Sequence, residues 1–244
     1  PDVYHQLAES TAGMAEACRR LETPVVSGNV SLYNENPKGA IFPTPVVGMV
    51  GVLDDVTKTI GAGFREPGHA VVLLGHNSGE LGASEYLKVV HGRTGGPVPD
   101  VDLDAEKALA DAVLAMIEAG LLASAHDCAE GGLAVCLAES AIGAGGGPLG
   151  LEAELADDLP PTPLLFGEAQ GRIVVSCPED RLGVVLATAG KHDVPAARIG
   201  TVGPRDGELV IAVPGTVIRA ETTALAEVYR GAIPGAMETP TASR

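Results

Sequence analysis

Apolar positions near the start of the chain recur at helical spacing. Tyr4, Leu7, Ala8, Thr11, Met14, Ala15, Cys18 and Leu21 share one face, and Glu9, Glu16, Arg19 and Arg20 lie opposite. The pattern predicts an amphipathic helix over residues 3–21 that ends at Glu22-Thr23-Pro24, because proline disfavours helix in the residue before it. Val25-Val26 reads as a short strand running into the polar loop Ser27–Ser31, and residues 34–44 read as a loop. Val46 to Leu53 is apolar on both faces apart from its glycines, so it predicts a strand in a sheet covered on both sides.

Gly61-Ala62-Gly63 with Glu66-Pro67-Gly68 marks the best domain boundary. Beyond it the pattern predicts a buried strand at His69–Gly75 and a helix at Ala83–His91. A longer helix is capped by Asp104, runs through Ala119 and has Gly120 just past its end. A strand follows at Ala123–Asp127, and a helix opens at Gly131-Gly132 and runs to Ile142. Leu149–Leu155 and Arg172–Cys177 read as strands, Glu179–Ala189 as a helix, and Ala197–Val202 with Leu209–Val213 as a hairpin. Thr216–Tyr229 reads as a final amphipathic helix, and the small polar residues after it as a disordered tail. Strands and helices mix without regular alternation, which predicts an α+β layered domain.

Composition narrows the function classes. With 45% hydrophobic residues in 244, the chain is globular. No apolar run reaches the roughly 20 residues a membrane span needs. A formal charge of −16 and 3% aromatic residues without Trp argue against nucleic-acid binding. Cys18, Cys128, Cys136 and Cys177 show no CxxC spacing, so free thiols of a cytoplasmic protein are expected rather than a zinc site. The start at Pro1 without Met or a signal segment predicts a fragment, a processed chain or an engineered start.

Four segments carry candidate chemistry. In Ser27-Gly28-Asn29-Val30-Ser31 a strand delivers a glycine, an amide and a hydroxyl within five residues. Gly28 lets the main chain approach a ligand, the Asn29 oxygen suits a hard cation such as Mg²⁺, and Ser31 can bond a phosphate or an amide. Such a loop can equally be a plain turn. In His126-Asp127-Cys128-Ala129-Glu130-Gly131-Gly132 a helix start offers amides to a phosphate or metal site; the alternative is a tight turn capped by Asp127 or Glu130. In Gly167-Glu168-Ala169-Gln170-Gly171-Arg172, Glu168 and Gln170 point to one face and can bind a ligand, or Glu168 pairs with Arg172. Gly75-His76-Asn77-Ser78-Gly79-Glu80-Leu81-Gly82 is only loosely like a phosphate loop, because no Lys follows its glycines.

Taken in order, SGNVSLYNE (27–35), PTPVVGMVGVLDD (43–55), LGASEYL (81–87), SAHDCAEGGLAVCLAE (124–139) and LFGEAQGRIVVSC (165–177) resemble the second half of the synthetase subunit of the phosphoribosylformylglycinamidine synthase family. The likeness covers roughly residues 2–230. It implies an α+β fold like that of aminoimidazole ribonucleotide synthetase. Residues 1–65 would be the C-terminal part of a sheet-rich ATP-binding-type domain, 66–232 a complete α+β C-terminal domain, and 233–244 the disordered tail. Aminoimidazole ribonucleotide synthetase itself fits less well, because of SGNVSLYNE.

The resemblance implies a ligase converting formylglycinamide ribonucleotide, ammonia and ATP to the amidine, ADP and phosphate in purine biosynthesis. Gly28 resembles an ATP contact, Asn29 a ligand of ATP-bound Mg²⁺, and Ser31 a substrate contact. The family's catalytic histidines and acidic metal ligands belong to its first half, so no catalytic residue is assigned and the isolated chain is expected to be inactive. Asp127, Glu168 and Gln170 are likewise left unassigned; Ala169 stands where the corresponding first-half segment has Ser. Implied partners are a separate glutaminase subunit that supplies ammonia from glutamine and a small accessory subunit, with no nucleic acid and no membrane. An exposed sheet over 1–65 would also seek a second copy. The competing reading is a non-catalytic nucleotide-binding or scaffold module.

Overall fold

The computed structural model describes residues 2–238. Its contacts divide the chain into two units, Pro1–Val56 and Thr57–Arg244. The first holds helix α1 (Asp2–Arg20) and a two-stranded antiparallel hairpin, β1 (Glu35–Asn36) and β2 (Gly39–Ala40). The Asn36 side chain accepts a hydrogen bond from the Lys38 amide (2.8 Å) and shapes the turn. No described residue of this unit is buried.

Two expected strands are absent. Val25-Val26 and Val46–Leu53 form no strand, and Val46, Val50 and Val52 are 92%, 100% and 91% exposed. A strand exists only through its ladder, and among the described residues no neighbour supplies one to this segment. Its apolar pattern records a demand for cover on both faces, which a helix and a short hairpin do not meet.

The second unit is built on a seven-stranded sheet of order β4-β6-β3-β7-β5-β8-β9. Its strands are β3 (Ala70–Gly75), β4 (Ser124–Asp127), β5 (Leu149–Glu154), β6 (Arg172–Cys177), β7 (Ala196–Arg205), β8 (Glu208–Val213) and β9 (Thr216–Glu221). All neighbours are antiparallel except β5 and β8. Helices α2 (Glu85–His91), α3 (Leu103–Glu118), α4 (Gly132–Ile142), α5 (Pro161–Phe166), α6 (Leu182–Lys191) and α7 (Thr222–Glu238) complete the unit.

The central strand β3 shows how sequence becomes layers. Alternation puts Ala70, Val72 and Leu74 on one face, where they pack with Leu109, Ala112 and Met116 of α3 and Val185 and Ala189 of α6. Val71 and Leu73 face the other way, against Leu133 and Leu137 of α4 and Leu164 and Leu165 of α5. Phe64, fully buried, belongs to that second core, so residues 57–65 pack with the sheet unit.

Four local expectations need correction. Strands β7 and β8 do not form a hairpin, because β5 lies between them, antiparallel to β7 and parallel to β8. Thr216–Glu221 is strand, not helix: Gly215 at φ 77 closes a Pro-Gly turn that folds β9 back on β8, with Val213 opposite Thr216. The helix that follows extends to Glu238, whereas it was expected to end at Tyr229; residues 239–244 of the expected tail lie outside the described residues. Asp102, not Asp104, caps α3, accepting from the amides of Asp104 (3.0 Å) and Ala105 (3.1 Å). Among the described residues, no helix is long and apolar enough to cross a membrane.

Candidate functional site

In the first unit, the loop after α1 carries Gly28, Asn29 and Ser31 on exposed backbone. A side chain added at Gly28 would meet nothing within 4 Å, so a ligand can reach the main chain there. Asn29 Nδ2 donates to Ser31 Oγ (3.4 Å), and Asn34 Nδ2 donates to the Ser31 carbonyl (2.9 Å). These bonds gather the three polar side chains into one turn. The Asn29 amide nitrogen is engaged, while among the described residues its Oδ1 has no hydrogen-bond partner. That neutral oxygen fits one coordination position of Mg²⁺. Among the described residues no group of three or more His, Cys, Asp or Glu could hold a metal ion, so the loop offers a single ligand and not a complete site.

The second unit has a cavity of about 420 Å³ where β4 ends, β6 begins and α4 starts. Asp127, Cys128, Glu130, Glu168, Gln170 and Arg172 are among its walls. Two of the sequence candidates thus converge on one place: the His126–Gly132 turn and the Gly167–Arg172 segment.

Glu168 decides what this cavity is. Its Oε1 accepts from the amide of Gly131 (2.7 Å), just before α4, and from the amide of Glu85 (2.8 Å), the first residue of α2. Its own amide donates to the Glu80 carbonyl (2.8 Å). A carboxylate therefore already occupies the position at the start of α4 that an external anion would take. Neither Asp127 nor Glu130 caps α4; its N-cap is Gly131 at φ 84, without a side-chain cap bond. Gly132, at φ 68, lets the turn approach the 165–167 backbone so closely that a Cβ there would lie 2.6 Å from the Gly167 carbonyl oxygen.

Arg172 does not pair with Glu168. It is 2% exposed, and its guanidinium is held by neutral acceptors. Nε donates to Ala169 O (3.3 Å), Nη1 to Asn77 Oδ1 (3.2 Å), and Nη2 to Gly167 O (2.6 Å) and Ala169 O (3.1 Å). Asn77 in turn donates to Leu164 O (3.2 Å). The loosely phosphate-like segment thus serves, through Asn77, as a brace for a buried cation. Sequence reading offered Arg172 only as a possible partner of Glu168 and missed its role as a buried brace; a charged residue opening an apolar strand was the available signal.

Around the cavity, burial raises the Glu106 carboxyl above its usual range, opposed by a hydrogen bond from the Gly171 amide. His126 lies between two carboxylates, with Nε2 3.1 Å from Glu139 and Nδ1 3.4 Å from Asp127. Cys128 and Cys136 are buried free thiols, and the Cys136 thiol donates to the His126 carbonyl (3.6 Å).

The second unit is thus of the α+β class, a largely antiparallel sheet with a glycine-tight strand-to-helix turn before α4. The chain belongs to the AIR synthase related proteins: their C-terminal domain matches residues 66–212 and their N-terminal domain residues 1–53. Curated relatives include phosphoribosylformylglycinamidine synthase subunit PurL of Moorella thermoacetica, 46% identical over 96% of this chain and 31% of the relative. The PurL subunit of Alkaliphilus metalliredigens is 42% identical over 98% of this chain and 32% of its own length. The chain thus spans about a third of the length of these relatives. Among solved structures, Thermotoga maritima PurL complexed with FGAR matches with TM-score 0.59 and 22% identity over 70% of this chain and 30% of that one. The same protein complexed with ATP matches with TM-score 0.55 and 22% identity, over 70% and 28%. At that identity the likeness concerns the fold.

Proposed function

We propose that this chain is the C-terminal part of a phosphoribosylformylglycinamidine synthase synthetase subunit and supplies one wall of its Mg-ATP pocket. The observation that carries the reading is 46% identity to a PurL subunit across 96% of the chain. Gly28 contacts ATP through its main chain, Asn29 Oδ1 takes one position on Mg²⁺, and Ser31 contacts the formylglycinamide ribonucleotide. Bound Mg²⁺ offsets phosphate charge that this acidic chain would otherwise repel.

In the reaction, ATP phosphorylates the amide oxygen of the substrate. Ammonia then attacks the activated carbon, and phosphate leaves to give the amidine. Phosphorylation turns a poor leaving oxygen into a good one, so the protein's task is positioning and electrostatic stabilisation. The ammonia comes from glutamine through a separate glutaminase subunit, with a small accessory subunit completing a cytoplasmic complex. The sheet unit serves as frame rather than second active centre, a role supported by Glu168 already filling the amide site at the start of α4.

The test is Asn29→Ala in the longer protein that includes the upstream domains. Losing the ligand should weaken Mg²⁺ dependence by roughly 10–100-fold. An unchanged Mg²⁺ titration removes Asn29 from the site, and turnover by the 244-residue chain alone overturns the division of labour.

A further inference from the structure

The two edges of the seven-stranded sheet are finished differently. At one edge β4 is four residues long and already covered: the Ala125 amide donates to the Gly61 carbonyl (3.1 Å), and Gly61 bridges Ser124. At the other edge β9 has β8 on one side, and among the described residues nothing pairs with its outer side. Its side chains agree, with Thr216, Val217, Arg219 and Glu221 exposed. Natural edges are commonly blocked by proline, lysine or a covering segment, and β9 contains neither proline nor lysine.

The hairpin fixes which backbone groups are free. The Pro214-Gly215 turn makes Val213 and Thr216 a hydrogen-bonded pair, so Ile218 and Ala220 also bond to β8, and Val217, Arg219 and Glu221 face outward. The next ladder confirms this alternation: the Ala212 carbonyl, opposite Val217, points away from β9 and accepts from the Leu155 amide (2.9 Å). Val217, Arg219 and Glu221 therefore aim their N–H and C=O groups at the open edge. Their side chains share the sheet face of Val210 and Ala212, where Arg219 pairs with Glu208 (3.3 Å) on the β8 side.

We propose that β9 is an interface between two copies of this chain, paired antiparallel about a two-fold axis at Ala220. This surface belongs to the sheet unit and is separate from the exposed apolar residues of the first unit. A two-fold perpendicular to the sheet keeps each face continuous, so an outward-facing residue must meet another outward-facing residue. Arg219 opposite the partner's Arg219 would oppose like charges, which is destabilising. Arg219 opposite the partner's Val217 would leave the charges unmatched. Arg219 opposite the partner's Glu221 satisfies both demands on each side of the axis, and each such pair exchanges both of its N–H···O bonds. Arg219 and Glu221, two apart on one face and of opposite charge, are thus their own complement when the strand is reversed. The helix that leaves β9 supports the same occupant. In α7, Tyr229, Ile233 and Met237 form an exposed stripe at i, i+4 and i+8. The axis sets both α7 helices on one side of the joined sheet, where the partner can cover that stripe.

The experiment is hydrogen exchange of the 244-residue chain at low and high protein concentration, with sedimentation velocity on the same samples. The Arg219 and Glu221 amides should exchange at least about tenfold more slowly at high concentration. The Val217 amide, outward but beyond the paired stretch, should not change; slowing there to the same degree refutes the axis at Ala220. Arg219→Glu should weaken association by roughly tenfold, and Arg219→Glu combined with Glu221→Arg should restore it. A chain that stays monomeric overturns the proposal, as does one that associates while the Arg219 and Glu221 amides exchange unchanged. A double variant that associates no better than Arg219→Glu alone overturns it too.

Discussion

Replacing Glu168 tests whether one carboxylate fastens the sheet unit. Its Oε1 accepts two backbone hydrogen bonds, 2.7 and 2.8 Å long, from residues 37 and 83 positions away in the chain. Hydrogen bonds to a charged group contribute about 1.5–3 kcal/mol each. The site is only partly buried, so water replaces part of each loss and the lower figure applies. Glu168→Ala should therefore cost about 3 kcal/mol. At roughly 2–4 °C per kcal/mol for a unit of this size, the melting temperature should fall by about 6–12 °C. Glu168→Gln keeps an acceptor oxygen but loses the charge, and should cost about 1 kcal/mol. Thermal melts followed by circular dichroism give the shifts, and hydrogen exchange at the Gly131 and Glu85 amides locates them. If both variants melt with the wild type and those amides stay equally protected, the carboxylate is not a clamp and the cavity is open to an external anion.

Three further outcomes follow from the same geometry. Burial raises the folded-state pKa of Glu106, so its contribution is fully present below the unfolded-state value and is lost as pH rises through the folded one. Glu106→Gln should hence be more stable than wild type in melts at pH 7, and the gain should vanish below about pH 4. Arg172→Lys cannot reproduce a planar fork that reaches Asn77, Gly167 and Ala169, and should lose about 3 kcal/mol in urea unfolding. Met116, fully buried between α3 and the sheet, should cost about 2–5 kcal/mol on change to Ala in the same assay.

The sequence was most legible where local pattern decides structure. Ala70–Gly75 is apolar at every position but its glycine, and it is the central strand buried on both faces. Gly131-Gly132 before α4 marked a real helix start. Pairing across the chain was not legible: nothing in Leu149–Glu154 announces that it inserts between β7 and β8. The short helix α5 went unread, although proline in a first helical turn is compatible with it and Pro161 begins it. At the candidate sites, a shared face for Glu168 and Gln170 was readable from spacing, but their meeting with Asp127 at one cavity was not. The role of Glu168 was not, because it depends on amides brought close only by the fold. In the first unit the apolar run Val46–Leu53 was read as a strand because its composition demands cover, a demand that composition cannot by itself meet.

The most direct measurement is a structure of the longer synthetase, including this chain, with Mg-ATP bound. The Asn29 side-chain oxygen should then lie about 2.1 Å from the metal, with Gly28 against the nucleotide and Ser31 facing the substrate. A bound nucleotide remote from all three residues would contradict the account.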